Sequence, residues 1–145
     1  MKDNKIRVLH CLESISSGGV EQRRLMLAKY LDSKKYKQAI VCTQALGVIP
    51  SQLKEAGCEV YPVGVLSHSF DIKAHINLIK VIREFKPHII HGAVFEGVTM
   101  AAIGGTLSRV PIIIAEETSI PTNRSKKATL FLKYLSLLCD KVVGD

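Results

Sequence analysis

The sequence predicts an α/β protein, a doubly wound parallel sheet of about six strands with helices on both faces. Two observations lead to this fold class. Short β-branched runs alternate with stretches of helical spacing along the whole chain, which is the pattern of a parallel sheet connected by helices. The chain has 145 residues, a length typical of one domain, so residues 1–145 are expected to form a single domain.

The first half of the chain supplies three of the expected strands. Apolar residues on the first helix recur at three- and four-residue spacing, so one side of that helix is expected to face the sheet. Its expected inward residues are Val20, Leu25, Leu27, Ala28 and Leu31. In chain order the predicted elements are strand Lys5–Cys11, helix Val20–Leu31, strand Tyr36–Thr43, helix Ile49–Ala56 and strand Cys58–Val63.

The second half alternates in the same way. Asp71 is a predicted helix cap, and Pro87 prevents that helix from continuing. Gly104 and Gly105 are unfavourable in a helix interior, and close approach of their helix to the sheet would explain them. The expected inward stripe of the first helix is Ile72, Ile76, Ile79 and Ile82. The predicted elements are helix Ile72–Phe85, strand His88–Gly92, helix Phe95–Arg109, strand Pro111–Ala115, helix Ser125–Leu138 and strand Lys141–Val143.

Composition narrows the classes of partner. The net charge of +7 favours anionic partners such as phosphates or an acidic membrane face, although solvated surface clusters would give the same balance. Nucleic acid is not expected, because the chain has no Trp and no aromatic residues interleave with its basic clusters. The N-terminus lacks a signal-peptide pattern and no apolar run is long enough to span a bilayer, so we expect a cytoplasmic protein with at most peripheral membrane contact.

Cysteine usage fits the same location. Cys11, Cys42, Cys58 and Cys139 are scattered without a C-x-x-C pair, which is typical of buried, reduced thiols. No His, Cys or Asp cluster has metal-ligand spacing, and we expect neither a metal nor another cofactor.

The turn after the first strand carries the first candidate site. In SISSGGVEQRR, Gly18 and Gly19 lie between the predicted first strand and the helix that follows it. Their amides could therefore bind a phosphate at a helix start. A plain tight turn explains the glycines equally well. Neither G-x-G-x-x-G nor the Walker pattern is present, and no acidic residue closes the second strand, so a nicotinamide enzyme ranks low.

Ligands of parallel sheets bind beyond the carboxyl ends of the strands, so the residues after the fourth and fifth strands are the next candidates. His91 ends the fourth strand and could bind a sugar hydroxyl or move a proton; a satisfied core histidine is the alternative. Glu96 opens the next helix, where it could bind a ligand or simply stabilise the helix dipole.

Two adjacent carboxylates follow the fifth strand in IIIAEETS, and at most one of them is expected to face the crevice. We take Glu117, with Thr118 and Arg124 after it, as candidate acceptor contacts; an ordinary polar loop is the alternative. No complete catalytic constellation is present.

Three runs of the sequence belong together: KIRVLHCLESISSGGVEQRRLMLAKYLDSKKYKQAIVCT, KPHIIHGAVFEGVTMAAIGGTLSRVPIIIAEET and LLCDKVVGD. In these runs the chain resembles the N-terminal domain of GT-B glycosyltransferases of the retaining, family 4 type. The most specific part is the Gly-Gly-x-Glu unit, Gly18 to Glu21. The resemblance implies a Rossmann-like, acceptor-side domain that works with a C-terminal, donor-binding domain absent from this chain, and alone it should not turn over.

The resemblance also implies a function and roles for residues. A sugar would pass from a nucleotide-sugar donor to a glycan or lipid-linked acceptor of the cell envelope, with no required metal. Gly18 and Gly19 match the loop that approaches the donor diphosphate. Many relatives read His-x-His at the end of the fourth strand; His91 matches the first, and Ala93 replaces the second. Glu117 stands where many relatives have a His, so no catalytic residue is assigned beyond the candidate His91.

Two other functions stay open from the sequence. One is a non-catalytic α/β module that binds a phosphorylated metabolite. The other is half of a nucleotide-sugar epimerase, which shares the two-domain architecture.

Overall fold

The computed structural model describes residues 3–16, 18–117 and 125–144. Its strands are β1 (Ile6–Ile15), β2 (Tyr36–Ala45), β3 (Glu59–Pro62), β4 (Ile89–Ala93), β5 (Ile112–Glu117) and β6 (Lys141–Gly144). Its helices are α1 (Gly19–Tyr30), α2 (Ile49–Glu55), α3 (Ile72–Phe85), α4 (Val94–Leu107) and α5 (Lys126–Ser136).

The six strands form one sheet in the order β3-β2-β1-β4-β5-β6, and every pairing is parallel. The chain starts in the middle, moves outward to β3, crosses back over β1 and then fills the other half. This arrangement confirms the predicted α/β class and places the reversal of strand order between β1 and β4. Crevices at such reversals are where open parallel sheets bind ligands.

Helices cover the two faces of the sheet unequally. On one face α1 and α2 pack over β1 and β2, with Leu25 and Leu53 in a cluster with Leu12 and Ile40. On the other face α3 and α4 pack across β1, β2, β4 and β5, around the fully buried Leu9 and Leu78. α5 lies beside α4. The first face is therefore covered mainly at its β1–β3 half.

Glycines bring α4 close to the sheet, as predicted. A Cβ on Gly105 would lie 2.8 Å from Cγ2 of Ile90, and one on Gly104 would lie 2.6 Å from Cδ2 of Leu78. Gly97 lies still nearer to the sheet, because its Cβ would overlap the main-chain oxygen of Cys11. Of the two glycines singled out from the sequence, Gly105 therefore faces the sheet and Gly104 faces α3.

The helix ends also follow the sequence. The Asp71 carboxylate accepts a hydrogen bond from the Ala74 amide at 3.1 Å and so caps α3. α3 ends at Phe85, two residues before Pro87. The Ser125 hydroxyl accepts a hydrogen bond from the Ala128 amide and caps α5 in the same way.

Two expectations about the elements were wrong. β1 does not end at Cys11 but continues to Ile15, since Leu12 and Ile15 are buried and Ser14 pairs with Gln44. The turn between β1 and α1 is accordingly shorter than predicted.

The inward stripe of α3 is also different from the prediction. Of the predicted stripe, Ile82 is buried and Ile79 half-buried, whereas Ile72 and Ile76 are 75% and 48% exposed. The buried row is Ala74, His75, Leu78, Ile82 and Phe85. Both rows are mainly apolar and helically spaced, and only the position of the sheet selects between them.

Cys11, Cys42 and Cys58 are buried and unpaired, as expected, and burial raises the pKa of Cys42 to about 12. Within the described ranges, no helix has the length and apolar character that crossing a bilayer requires.

Candidate functional site

The candidate site lies where β1 and β4 end and α1 begins. Gly18 is the N-cap of α1 and Gly19 its first residue, so the glycines occupy the predicted position at the helix start. No side chain among the described residues caps this end through a hydrogen bond. The first amides of α1 are therefore not satisfied by a side-chain cap, and a helix start with available amides suits an anion.

The two glycines differ in their surroundings. Among the described residues, a Cβ on Gly19 would meet nothing within 4 Å, so these residues leave its side open to a ligand. On Gly18 the same position is taken by the carboxylate of Glu21, which folds back over the helix start. An anion approaching Gly18 must displace that carboxylate, whereas the approach to Gly19 is clear.

Three carboxylates gather at this edge of the sheet. Burial, followed by the negative charges of Glu96 and Glu21, raises the pKa of Glu13 at the end of β1. Glu96 sits in the first turn of α4, as the sequence predicted. Carboxylates can bind sugar hydroxyls, but they also repel a diphosphate. Glu96 thus lies at the carboxyl edge of the sheet, and its role stays a prediction.

A small cavity adjoins Glu96. It measures about 180 Å³ and is lined by the loop before α3, including Ser67 and Ser69, and by the start of α4, including Thr99. Polar groups at the mouth of a crevice are suited to hold a hydroxylated ligand.

A buried polar network lies beneath α1. The Arg24 guanidinium donates a hydrogen bond from Nη2 to Oε2 of Glu116, and Nε2 of His91 lies 2.9 Å from the same oxygen. Arg24 and Glu116 are only 3% and 5% exposed. The hydrogen bond from His91 and the adjacent Arg24 charge, working against burial, lower the pKa of Glu116 to about 2. Glu116 therefore remains a carboxylate across the physiological pH range.

The network continues to β1 and β2. The His10 ring lies 5.4 Å from that of His91, centroid to centroid, and its Nε2 is 3.2 Å from the Gln38 side-chain oxygen. Gln38 in turn donates a hydrogen bond to the Leu27 carbonyl of α1 at 3.1 Å. Burial and the neighbouring Arg24 and His91 charges lower the pKa of His10 to about 3, so this ring is neutral at pH 7.

The structure brings some predicted residues together and separates others. His91 lies two residues before the end of β4, with its side chain 17% exposed and turned toward Glu116 and Arg24. Glu117 ends β5 and is half-buried, one residue beyond Glu116. Thr118 and Arg124 lie outside the described residues.

Arg24 and Glu116 were missed at the sequence level. Arg24 follows polar and charged residues that resemble a solvated helix face, and of the two adjacent carboxylates Glu117 was chosen instead of Glu116. One signal was available, the alternation of side chains along paired strands. Ile89 of β4 pairs with Ile112 of β5, and His91 and Glu116 each lie an even number of residues further along. Their side chains are therefore on the same face of the sheet.

Comparison with solved structures matches this fold to other proteins. A glycosyltransferase from Rickettsia africae superposes with a TM-score of 0.66 and 19% identity, covering 97% of this chain and 37% of its own. Acinetobacter baumannii MurG superposes with a TM-score of 0.64 and 16% identity, and the match covers 96% of this chain and 40% of MurG. A putative UDP-N-acetylglucosamine 2-epimerase from Listeria monocytogenes superposes with a TM-score of 0.62 and 12% identity, and the match covers 95% of this chain and 38% of the epimerase.

These structural likenesses establish the Rossmann-like α/β fold. The chain spans about two fifths of the length of the solved structures it matches. Among curated proteins, none matches the chain. A family model described as a glycosyl transferase 4-like domain matches residues 18–140, from Gly18 at the start of α1 to the residue before β6. The chain therefore belongs to the glycosyl transferase 4-like domain family.

Proposed function

We propose that this chain is the acceptor-binding, N-terminal domain of a retaining GT-B glycosyltransferase. The enzyme would transfer a sugar from a nucleotide-sugar donor to a glycan or lipid-linked acceptor of the cell envelope. One observation carries the proposal: Gly19 presents a helix start that no described residue obstructs, at the carboxyl end of β1 and next to the reversal of strand order. Family membership supports transfer of sugar as the reaction.

The donor diphosphate would bind at the start of α1. Gly19 leaves room for a phosphate against the main chain, and the helix dipole favours its negative charge. At Gly18 the phosphate would replace the carboxylate of Glu21, which already occupies an anion position. The Glu21 carboxylate would therefore occupy the phosphate position in the free protein and move away when the donor binds.

The acceptor would bind along the same edge. Glu96 borders the small polar cavity, and Glu117 ends β5 nearby in the sheet order. We include His91, Thr118 and Arg124 in this acceptor surface, as the family resemblance implies. Carboxylates here would accept hydrogen bonds from sugar hydroxyls.

A second domain would complete the active site. The share of the related structures that the chain covers supports this. We expect the donor-binding domain to supply the other wall of the crevice.

A nucleotide-sugar epimerase is the second candidate, because an epimerase is among the structures with this fold. One experiment separates the two. The two-domain enzyme is incubated with a panel of nucleotide sugars and a glycan or lipid-linked acceptor, and the products are analysed by mass spectrometry and anomeric NMR. Our proposal predicts a glycosylated acceptor with the donor's anomeric configuration. A C2-epimerised nucleotide sugar, or binding without turnover, would contradict it.

The 145-residue domain provides the matched control for that experiment. It should give no transfer with any donor, because it holds only one wall of the crevice. Turnover by the purified domain would refute the two-domain arrangement.

We further propose that the domain is cytoplasmic and touches an anionic membrane through the outer faces of α3 and α5. Ile72 and Leu130 are 75% and 53% exposed on these faces, and exposed lysines flank them. The Phe70 and Phe131 rings, 5.6 Å apart, link the approach to α3 with α5. Apolar side chains ringed by bases suit the interface of an anionic bilayer. The basic residues on the two helices are Lys73, Lys80, Lys126, Lys127 and Lys133.

Vesicle sedimentation tests the membrane contact. The domain should bind phosphatidylserine vesicles, release them in high salt and ignore phosphatidylcholine vesicles. The double variant Lys126→Ala and Lys127→Ala should bind about 30-fold more weakly, from about 1 kcal/mol per lysine. The matched variant Lys34→Ala and Lys35→Ala, away from α3 and α5, should keep wild-type binding. Equal binding by both double variants would exclude this face.

A further inference from the structure

The inward face of α1 carries a charge where an apolar residue would pack more simply. Arg24 is 3% exposed, and its Nε has no hydrogen-bond partner among the described residues. The neighbouring ring nitrogen Nδ1 of His10 is equally buried and unpartnered within the described ranges. Buried polar atoms without partners reduce stability, and buried ion pairs are often replaceable by apolar groups. Stability alone therefore gives no reason for this network.

The network ties three elements of the candidate site together. Arg24 comes from α1, Glu116 from β5 and His91 from β4, and all three meet at one carboxylate oxygen. The Glu116 carboxylate can only accept hydrogen bonds, so the 2.9 Å contact requires Nε2 of His91 to carry a proton and donate it. Protonated Nε2 cannot also accept from Nη2 of Arg24, which lies 3.5 Å away. This leaves Nδ1 as the ring nitrogen available for any other contact.

The same contacts hold α1 against the sheet. Arg24 is five residues after Gly19, and the second polar tie, from Gln38 to the Leu27 carbonyl, holds the next turn. Arg23 adds a contact of 3.5 Å to the other Glu116 oxygen. A rotation or slide of α1 would break these ties and would move the Gly18–Gly19 amides relative to β4.

We propose that Arg24 and Glu116 form a positioning pair that holds the glycine turn of α1 and the His91 ring in fixed relation. The proposal rests on the proposed function, in which the turn receives the donor and His91 faces the acceptor side. Neither residue contacts the substrates in this account. They act through α1 and through His91, and they hold the glycine turn and the His91 ring at one distance from each other.

A charge-removal series tests the pair in the two-domain enzyme. Glu116→Gln leaves the buried Arg24 charge without its carboxylate, and Arg24→Met removes the buried cation from Glu116, which keeps only His91 and the more exposed Arg23. Each single variant should lower the melting temperature. The double variant leaves no unpaired charge and should recover most of that loss. Its kcat/KM for the nucleotide sugar should nevertheless remain at least about tenfold below wild type, since a small misplacement of reacting groups costs rate. Arg24→Lys should retain intermediate activity.

Lys29→Met is the matched control, because it removes the same charge from an exposed position on the same helix. It should change neither stability nor kcat/KM. Recovery of both stability and kcat/KM in the double variant would show that the pair is merely structural and would overturn the proposal.

NMR of the 145-residue domain decides the positional claim without any activity. In the double variant the Gly19 amide and His91 ring resonances should shift, while those of α2 stay in place. Unchanged Gly19 and His91 resonances would overturn the positioning role even in an active enzyme. If instead the wild-type enzyme transfers no sugar but these resonances shift, the proposed function fails and the positional claim stands.

Discussion

The buried carboxylate of Glu116 makes a quantitative prediction about acid stability. Its pKa is lowered to about 2 by the His91 hydrogen bond and Arg24, against an ordinary value of 4.5. A group whose pKa is lowered by folding stabilises the protein above its unfolded pKa and loses that effect as pH falls. The difference corresponds to about 3 kcal/mol at pH 7, of which about 2 kcal/mol is lost by pH 3.

The perturbation that isolates this effect is Glu116→Gln. We expect the variant to be about 3 kcal/mol less stable than wild type at pH 7, and we expect this gap to narrow to about 1 kcal/mol at pH 3. Urea unfolding followed by far-ultraviolet circular dichroism measures both values. Comparing two proteins at each pH cancels the carboxylates that they share.

Glu84→Gln, on the exposed face of α3, is the matched control and should change stability by less than about 0.5 kcal/mol at both pH values. A wild-type advantage over Glu116→Gln that stays constant from pH 7 to pH 3 would refute the reasoning. It would mean that the native carboxylate is not held ionised by Arg24 and His91.

Two further predictions concern the frame of the site. Asp71→Ala removes the cap of α3 and should lower the free energy of unfolding by about 1 kcal/mol, with Asp71→Asn retaining most of it in urea titrations. Gly97→Ala would press a methyl group onto the Cys11 carbonyl. The free energy of unfolding should fall by about 2 kcal/mol, seen as a lower melting temperature, although Ala has the better helix propensity. The control Gly19→Ala should leave stability unchanged. Wild-type stability of Gly97→Ala would show that α4 does not approach β1 as described.

The alternation of apolar patterns was enough to predict the fold. All six strands and five helices appear in the predicted order, because strand and helix periods differ and Gly and Pro mark their ends. The pattern did not determine which apolar row of α3 faces inward. Ile76 and Leu78 belong to different rows that look equally suitable, and only packing against the sheet separates them.

The candidate site was predictable in its backbone and less so in its side chains. Gly19 and Glu96 lie where the sequence placed them, since both are fixed by the ends of strands and helices. Arg24 was missed because a charged residue on a helix is normally solvated; its burial depends on Glu116, which is 92 residues away in the chain. Long-range pairing of this kind leaves no local pattern.

The account depends on the amides at Gly19 receiving the donor diphosphate in an enzyme that transfers sugar. The direct measurement is kcat/KM for the nucleotide sugar in the two-domain enzyme carrying Gly19→Val, beside Lys29→Val on the same helix. The valine Cβ would meet no atom within 4 Å in the part of the chain that the structure describes, so the fold should survive while the side chain blocks the phosphate. Losing hydrogen bonds to a charged group predicts a fall of about 10- to 100-fold for Gly19→Val alone. Donor kinetics equal to wild type in a folded Gly19→Val enzyme would contradict the account.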